Sequence, residues 1–444
     1  MPQAESSKRL RQFRRSSPVR KRTTYRAVQI KDVKVEKLKE VVEGQAVTLA
    51  VDGAKEVPLA AVMKSPDDVI LTMKWNQPSE MEEVVELLGR LGARELQVAM
   101  EATGTYGDAL RAHLWAAGIE VYRVSSKRVH DLAEVHDGVP SRHDAKSAAI
   151  IGKLHMEGRS ERWPMRSALQ RDAVAAVKLM GMYEEQLQRG KGQLEALLAR
   201  HWPELGSLLK LGSTTQLGLL KTYGSAQAIA ANAKAAGALI RKLGRGKHSQ
   251  EKVAAVLEAA KQSKHVEPTE IERLLIKEHC AEMDRTRRLE ALARARVHKI
   301  LGHEPAVRRM AQVVGKTTAA VLYALMGDPS AYENLPQYIK SLGLNLKETS
   351  SGKKKGAVHI TKRGPSTPRQ YLYLAAMRAV KDCEVVRAWF ERKQGRDGGK
   401  GKGGKALVAI MRKLAAALWH VARGAAFDVR KLYNVQALGL ADGP

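Results

Sequence analysis

The sequence predicts an α/β domain near the N-terminus, a helical coiled-coil spacer after it, and a mainly α-helical domain on the C-terminal side. Short apolar runs alternate with helical patterns over residues 45–162, as in a layered α/β domain. Heptad spacing over 169–197 indicates a coiled-coil helical spacer at 163–304, and 305–430 is helical with two loops rich in glycine and lysine. A basic arm at 1–44 and a tail at 431–444 complete the predicted organisation.

The α/β domain is expected to contain four strands, because four short apolar runs are separated by helical or turn-forming segments. The expected strands are 47–51, 69–75, 96–100 and 119–124. Ser79 and Glu82 have the spacing of a capping box before a first helix, and a second helix is expected over 107–117. This alternation indicates a sheet covered by helices.

The spacer shows apolar and small residues at alternating intervals of four and three, which is the seam of a coiled coil. The seam positions are Leu169, Ala173, Ala176, Met180, Tyr183, Leu187, Gly190, Leu194 and Leu197. Pro203 ends this helix, and a second long helix is expected from Thr269, with Glu272 in capping-box position, toward Leu301. Together they predict a helical hairpin or a dimerising arm.

The charge balance indicates an anionic partner. The 444 residues include 76 Lys and Arg against 47 Asp and Glu, a formal net charge of +29 that favours nucleic acid. A loop within the spacer, with Arg241, Lys242, Arg245 and Lys247, is either a solvated basic loop or a phosphate contact. Because aromatic residues make up only 5%, we expect recognition through backbone charge and shape rather than base stacking.

Several protein classes are disfavoured. No apolar stretch approaches the ~20 residues that cross a bilayer, so a cytoplasmic protein without a membrane partner is expected. Cys280 and Cys383 are too few for a disulfide framework or a cysteine-rich zinc site. The Gly315-Lys316-Thr317 segment lacks the first glycine of a nucleotide-phosphate loop, because Met310 stands there. It is expected instead to be a turn that feeds a helix and grips a DNA backbone.

Three acidic residues stand where carboxylates can converge. Asp52 and Glu101 each end an expected strand, and Asp144 opens an expected helix. Carboxylates brought together in this way can bind one or two Mg²⁺ ions, which polarise a phosphodiester. Each acid taken singly could equally be a helix cap or a solvent-facing residue.

A second group of residues surrounds a serine-bearing glycine loop. Ser350 and Ser351 precede Gly352, and nearby positive charge would favour a serine nucleophile toward phosphate. An ordinary flexible loop is the alternative. The cations expected to contact nucleic acid are Lys353, Lys354, Lys355, Lys362, Arg363, Lys400, Lys402 and Lys405.

The order of these motifs resembles the DEDD-type insertion-sequence transposases, also called bridge-RNA-guided recombinases, over roughly residues 45–425. The motifs are Val51-Asp52-Gly53-Ala54-Lys55, Glu101-Ala102-Thr103-Gly104-Thr105-Tyr106-Gly107, Pro140-Ser141-Arg142-His143-Asp144-Ala145-Lys146, Gly343-Leu344-Asn345, Ser350-Ser351-Gly352 and Ile360-Thr361-Lys362-Arg363-Gly364.

The resemblance implies a RuvC-like (ribonuclease-H-type) N-terminal domain, a coiled-coil spacer and a C-terminal transposase domain with a nucleophilic serine. It implies that Asp52, Glu101 and Asp144 hold Mg²⁺ and that Ser351 attacks DNA to form a covalent phosphoserine, with Ser350 as the second choice.

The resemblance also implies the partners. These are double-stranded donor and target DNA and a structured guide RNA, held by dimers that assemble into a tetramer in the nucleoid of a prokaryotic cytosol.

One departure from the family pattern concerns the metal site. The family has a fourth acid three residues after the third, where this chain has Ser147. Its hydroxyl is expected to act on the metal through water, with weaker metal binding. Two alternatives to an RNA-guided recombinase therefore remain: a RuvC-like metal-dependent DNA nuclease, or a catalytically impaired transposase descendant that only binds nucleic acid.

Overall fold

The computed structural model describes residues 26–102, 104–133, 135, 143–348, 358–396, 398 and 403–440. The chain divides between Arg166 and Ser167 into two compact units. The first is a mixed α/β sheet domain and the second is mostly helical, which confirms the predicted fold class at this level.

The first unit is built on a seven-stranded sheet with the order β1-β4-β3-β2-β5-β6-β7. Its strands are β1 Val28–Gln29, β2 Ala46–Asp52, β3 Leu59–Ser65, β4 Asp68–Lys74, β5 Glu95–Glu101, β6 Glu120–Val124 and β7 Ser160–Arg162. Strand β3 runs antiparallel to both β2 and β4, whereas β2, β5 and β6 are parallel neighbours. This arrangement is consistent with a RuvC-like fold.

Helices cover both faces of this sheet. They are α1 Val35–Val42, α2 Met81–Arg90, α3 Asp108–Ala116, α4 Ser126–Ala133 and α5 Asp144–Met156. Successive side chains of β2 point to opposite faces, so Leu49 and Val51 join the core under α2 and α3 while Ala50 joins the core under α5. The sheet is therefore buried on both sides in its centre.

Two details of this unit differ from those predicted from the sequence. Strands β1, β3 and β7 were not expected. The predicted capping box of Ser79 and Glu82 is wrong, because α2 begins at Met81 with Glu80 before it and has no side-chain cap. Instead, the Glu80 carboxylate accepts a hydrogen bond from the Asn76 backbone N–H at 2.7 Å.

The second unit contains the remaining helices and one short hairpin. The helices are α6 Ala168–His201, α7 Leu205–Leu208, α8 Thr214–Tyr223, α9 Ala226–Ala231, α10 Ala233–Gly244, α11 Gln250–Gln262, α12 Glu270–Leu301, α13 Pro305–Val314, α14 Lys316–Met326, α15 Leu335–Ser341, α16 Ser366–Asp382, α17 Glu384–Arg396 and α18 Gly404–Ala422. The hairpin pairs β8 Leu346–Glu348 with β9 Val358–Ile360.

The long helices α6 and α12 pack against each other in antiparallel orientation. The His279 ring contacts the Gly190 carbonyl at 2.9 Å, and Arg200 pairs with Glu272 at 3.4 Å. Most expected seam residues of α6 are buried or half-buried, but Leu169 is exposed. The capping box of Thr269 and Glu272 is confirmed.

This helix pair joins two separate hydrophobic cores. One core lies under residues 202–268, which contain α7–α11 and which we call the helical lobe. The other is formed with α13–α18. Gly315 separates α13 from α14 as the expected turn, with a φ of 80° that favours glycine.

Candidate active site

The parallel pairing of β2 and β5 brings two of the predicted acids together. Val51 is in register with Met100, so the next residues, Asp52 and Glu101, are adjacent where both strands end. Ligands of open α/β sheets typically bind at the carboxyl ends of such strands. Both side chains are half-buried.

Helix α5 supplies the third acid, Asp144, as its first residue. His143 caps this helix, since its Nδ1 accepts a hydrogen bond from the Lys146 backbone N–H at 3.2 Å. The helix lies close to the sheet through small residues: a Cβ placed on Gly152 would stand 3.0 Å from the Ala50 Cβ. This close packing fixes where the start of α5 lies relative to β2.

The three carboxylates interact electrostatically. Burial, and to a smaller extent the negative charges of Glu101 and Asp144, together raise the pKa of Asp52 from 3.8 to about 6. A carboxylate with this environment is poorly stabilised when ionised. The site therefore carries more negative charge than its own residues neutralise.

Ser147 contacts this group of acids directly. It follows Asp144 by three residues, which places it on the same face of α5. Its hydroxyl donates a hydrogen bond to the Asp52 carboxylate, which lowers the pKa of Asp52 against the larger opposing effects. The serine at the position of the family's fourth acid thus stabilises a neighbouring carboxylate instead of adding a charge.

The acids are not arranged as a finished coordination sphere. Over the described parts of the chain, no three His, Cys, Asp or Glu side chains stand close enough together to hold a metal ion as they are. Charge repulsion between carboxylates reaches further than metal ligation, which needs oxygens at about 2.0–2.6 Å from the ion.

The predicted serine nucleophile falls outside the described residues. The same is true of Ser350, Lys353, Lys354, Lys355, Lys400 and Lys402. The remaining predicted cations, Lys362, Arg363 and Lys405, are exposed and make no ion pair within the described part of the chain.

The strands that flank the serine segment are firmly anchored. Glu348 of β8 pairs with Val358 of β9. The segment that contains Ser351 connects these two residues in the sequence, so its two ends are held together by the hairpin. The Thr361 N–H donates to the Asn345 carbonyl at 2.9 Å, and the Lys362 N–H donates to the Gly343 carbonyl at 3.0 Å.

Sequence reasoning missed one residue of this anchor, Arg369 of α16. Its guanidinium donates to the backbone carbonyls of Leu342, Gly364 and Pro365 at 3.0–3.3 Å. Gly343 faces the same place, where an added Cβ would lie 2.7 Å from the Arg363 carbonyl oxygen. Gly343 and Gly364 could be picked out in the sequence as parts of the family motifs, but no sequence pattern singled out Arg369.

Two protein-family models match the chain. One, a transposase model of the DEDD IS110 type, matches residues 49–203. The other, described as Transposase IS116/IS110/IS902 family, matches 309–391. Together they cover more than half of the sequence. The chain belongs to the IS110 family of DEDD transposases. No curated protein matches it.

The two matched segments divide the functional residues of this IS110-family transposase. Asp52, Glu101, Asp144 and Ser147 all lie in the first segment, whereas Ser351 and Arg369 lie in the second. The family acts in DNA transposition, and DNA is accordingly the substrate class. The helical lobe lies almost entirely between the segments and is matched by neither model.

Among the described residues, none of the transposase's helices combines the length and apolar character needed to cross a bilayer.

Proposed function

We propose that this transposase inserts and excises a mobile element by Mg²⁺-assisted attack of Ser351 on DNA phosphodiesters, guided by a structured bridge RNA. The observation that carries the proposal is the half-buried carboxylate group at the ends of β2 and β5, in which the pKa of Asp52 is raised to about 6. Such an excess of negative charge at a sheet edge suits a cation-binding site in a RuvC-like domain.

The residues present fit a magnesium ion. Asp52, Glu101 and Asp144 offer hard carboxylate oxygens, which Mg²⁺ prefers. When bound, the ion polarises a phosphodiester and neutralises charge that develops on it. The protein contributes fixed positions: two acids end paired strands, one begins a closely packed helix, and the Ser147 hydroxyl orients Asp52.

The proposed serine step exchanges one phosphoester bond for another, so no external energy source is needed to rejoin the DNA. The Ser351 oxygen loses its proton and forms a bond to the phosphorus, while the bond from the phosphorus to one deoxyribose oxygen breaks and that oxygen takes up a proton. A deoxyribose hydroxyl of the second DNA then loses its proton and forms a bond to the phosphorus, while the bond from the phosphorus to the Ser351 oxygen breaks and the serine takes up a proton. Ser351 is assigned by its place in the family motif, with Ser350 as the second choice.

The partners proposed with this chemistry are donor and target DNA duplexes and the guide RNA. A net charge of +29 supports a protein that holds several polyanions at once. Dimers that assemble into a tetramer would combine the acids of one subunit with the serine of another.

A metal-dependent nuclease of RuvC type is the second candidate. Its supporting observation is that the acid group belongs to one α/β unit and needs no serine to hydrolyse DNA. The two candidates differ in their products, because a nuclease leaves cut DNA whereas a recombinase joins new ends.

A plasmid recombination assay separates the candidates. The protein, Mg²⁺, the neighbouring non-coding RNA and plasmids with donor and target sites are incubated, and new junctions are counted by sequencing. We expect junctions with the wild type and none with Asp52→Asn or Ser351→Ala. Cut but unjoined DNA, at a rate unchanged in Ser351→Ala, would establish the nuclease. Binding without any cleavage would establish the impaired descendant.

A further inference from the structure

The helical lobe is a folded element that the family assignment leaves without a role. It has its own core, in which Trp202, Leu217, Ile240 and Val256 are almost completely buried between α7–α11 and the ends of α6 and α12. Because it lies between the two matched segments, its surface can be considered separately from the proposed catalytic residues.

The lobe is strongly basic. Residues 202–268 contain ten Lys and Arg against four Asp and Glu. Three of these acids already have partners, since Glu204 pairs with His265 at 3.1 Å, Glu258 pairs with Lys261 at 3.6 Å, and Glu251 accepts a hydrogen bond from Ser249. Even so, four acids can offset at most four of the ten positive charges, so the lobe keeps a formal net charge of +6.

Four cations are concentrated where α10 turns into α11. Arg241, Lys242, Arg245 and Lys247 are all exposed, and none makes an ion pair with any residue that the structure describes. We call residues 241–248 the basic turn. Cations in the last turn of a helix offset the helix dipole. That role explains Arg241 and Lys242, but it does not explain Lys247, which lies beyond the helix.

The backbone of the basic turn is held in place. The His248 ring packs on Gly244, where an added Cβ would stand 2.4 Å from it, and the ring is 3.1 Å from the Thr215 hydroxyl on α8. Because the backbone is fixed, the four side chains project from a preformed turn, and less conformational entropy is lost when a ligand binds.

Arg245 occupies a backbone conformation that normally selects a different residue. Its φ is 49° and its ψ is 47°, the left-handed region that favours glycine or asparagine after a helix. The chain therefore keeps a long cationic side chain where glycine would be less strained. This is a second indication that the charge at this turn has a use.

The chemistry of the lobe selects the partner. No Phe, Trp or Tyr side chain of residues 202–268 is exposed, since Trp202 is buried and Tyr223 is half-buried, and the exposed His265 ring is paired with Glu204, so the lobe offers little surface for stacking on unpaired bases. Unpaired cations on a rigid turn suit the evenly charged backbone of a duplex. We propose that the basic turn binds the phosphate backbone of a nucleic-acid duplex, as a contact additional to the proposed catalytic domain surfaces.

The test is equilibrium binding by the full-length protein without Mg²⁺, which keeps it independent of catalysis. Fluorescence anisotropy measures the Kd for a short DNA duplex and for an RNA duplex of the same sequence over a range of salt concentrations. The test variant is Arg241→Gln, Lys242→Gln and Lys247→Gln together. The matched control changes Lys210, Lys234 and Lys264 to Gln; these are three exposed lysines elsewhere on the lobe that make no ion pair with a described residue.

We expect the turn variant to bind at least about tenfold more weakly than the control. The slope of log affinity against log salt concentration should become shallower by up to about 2.7, because each of three lost phosphate contacts accounts for about 0.9. A loss confined to the DNA or to the RNA duplex would identify which nucleic acid the turn contacts. Equal affinities and equal salt slopes for the two triple variants, on both duplexes, would overturn the proposal.

A single substitution guards against a folding artefact. Arg245→Gly removes one cation and relieves the left-handed strain, so its melting temperature should be unchanged or higher while duplex binding weakens by a few fold. Wild-type affinity in Arg245→Gly, together with no effect of the triple variant, would leave the cations only a structural role.

Discussion

At the scale of single residues, Asp52 determines how the site responds to pH. The folded protein holds its proton up to about pH 6, whereas an unfolded chain releases it near 3.8. The stability associated with the protonated form is therefore present below about pH 4 and is lost as the pH rises to about 6. Above that range the metal-free protein carries a destabilising charge.

Asp52→Asn should stabilise the metal-free protein at neutral pH. A pKa change of this size corresponds to about 3 kcal/mol, and solvent screening at a half-exposed site reduces it to about 1–2 kcal/mol. Urea unfolding in the presence of a chelator measures the difference. It should grow between about pH 4 and 6 and then stay level; a difference that does not vary with pH would show that the charge of Asp52 is not its cause.

Ser147 offers a second test at this scale. Ser147→Asp restores the acid found in the family pattern, so it should tighten Mg²⁺ binding about tenfold and lower the metal-free stability by about 1 kcal/mol. Ser147→Ala is the control, because it removes the hydrogen bond to Asp52 without adding charge. Calorimetric titration with Mg²⁺ gives both affinities. Equal affinity in the two variants would mean that this position does not face the ion.

At the scale of elements, the position of α5 depends on small residues. An added Cβ at Gly152 would meet the Met63 sulfur at 2.3 Å and the Ala50 Cβ at 3.0 Å. Gly152→Ala should therefore displace α5, which carries Asp144 and Ser147, with a loss of about 1–3 kcal/mol of stability and weaker Mg²⁺ binding.

The control for this prediction is Gly89→Ala on α2, where an added Cβ meets nothing within 4 Å. It should leave Mg²⁺ affinity unchanged and stabilise the helix by up to about 1 kcal/mol. If Gly152→Ala behaves like Gly89→Ala in unfolding and calorimetry, the close packing of α5 does not position the acids.

The same packing explains which elements sequence reasoning found and which it missed. The expected strands 47–51, 69–75, 96–100 and 119–124 correspond to β2, β4, β5 and β6, because branched and apolar runs bounded by turns are strong strand signals. Strand β3 lacks that signal, since Ala60 and Ala61 are uncommon in strands. Ala61 faces α5, which approaches the sheet so closely that a small residue is needed there, whereas Ala60 belongs to the core on the opposite face.

The acids of the candidate site were predictable for a related reason. Asp52 and Glu101 end strands whose parallel pairing could be anticipated, and Asp144 stands at the start of an expected helix and within a family motif. The hydrogen bond from Ser147 to Asp52 was not predictable, because it depends on how α5 lies on the sheet. Arg369 was likewise invisible, since it acts on backbone carbonyls that only the folded hairpin brings together.

At the scale of the whole molecule, the proposed assembly places acids and serine in different subunits. Mixing Asp52→Asn and Ser351→Ala proteins should then restore activity that neither has alone, because some sites receive intact acids from one and serine from the other. Random mixing leaves about a quarter of such shared sites intact. Recombination junctions counted after mixing and re-assembly measure this. No recovery would place both groups in the same subunit.

Detection of the covalent intermediate tests the central claim most directly. The wild type, Ser350→Ala and Ser351→Ala are incubated with Mg²⁺, the neighbouring RNA and cognate DNA, then denatured and examined for DNA-linked protein by mass spectrometry of its peptides. We predict an adduct on residue 351 in the wild type and in Ser350→Ala, and none in Ser351→Ala or when Mg²⁺ is chelated. DNA cleavage without any adduct in the wild type, or an adduct that survives Ser351→Ala, would contradict the account.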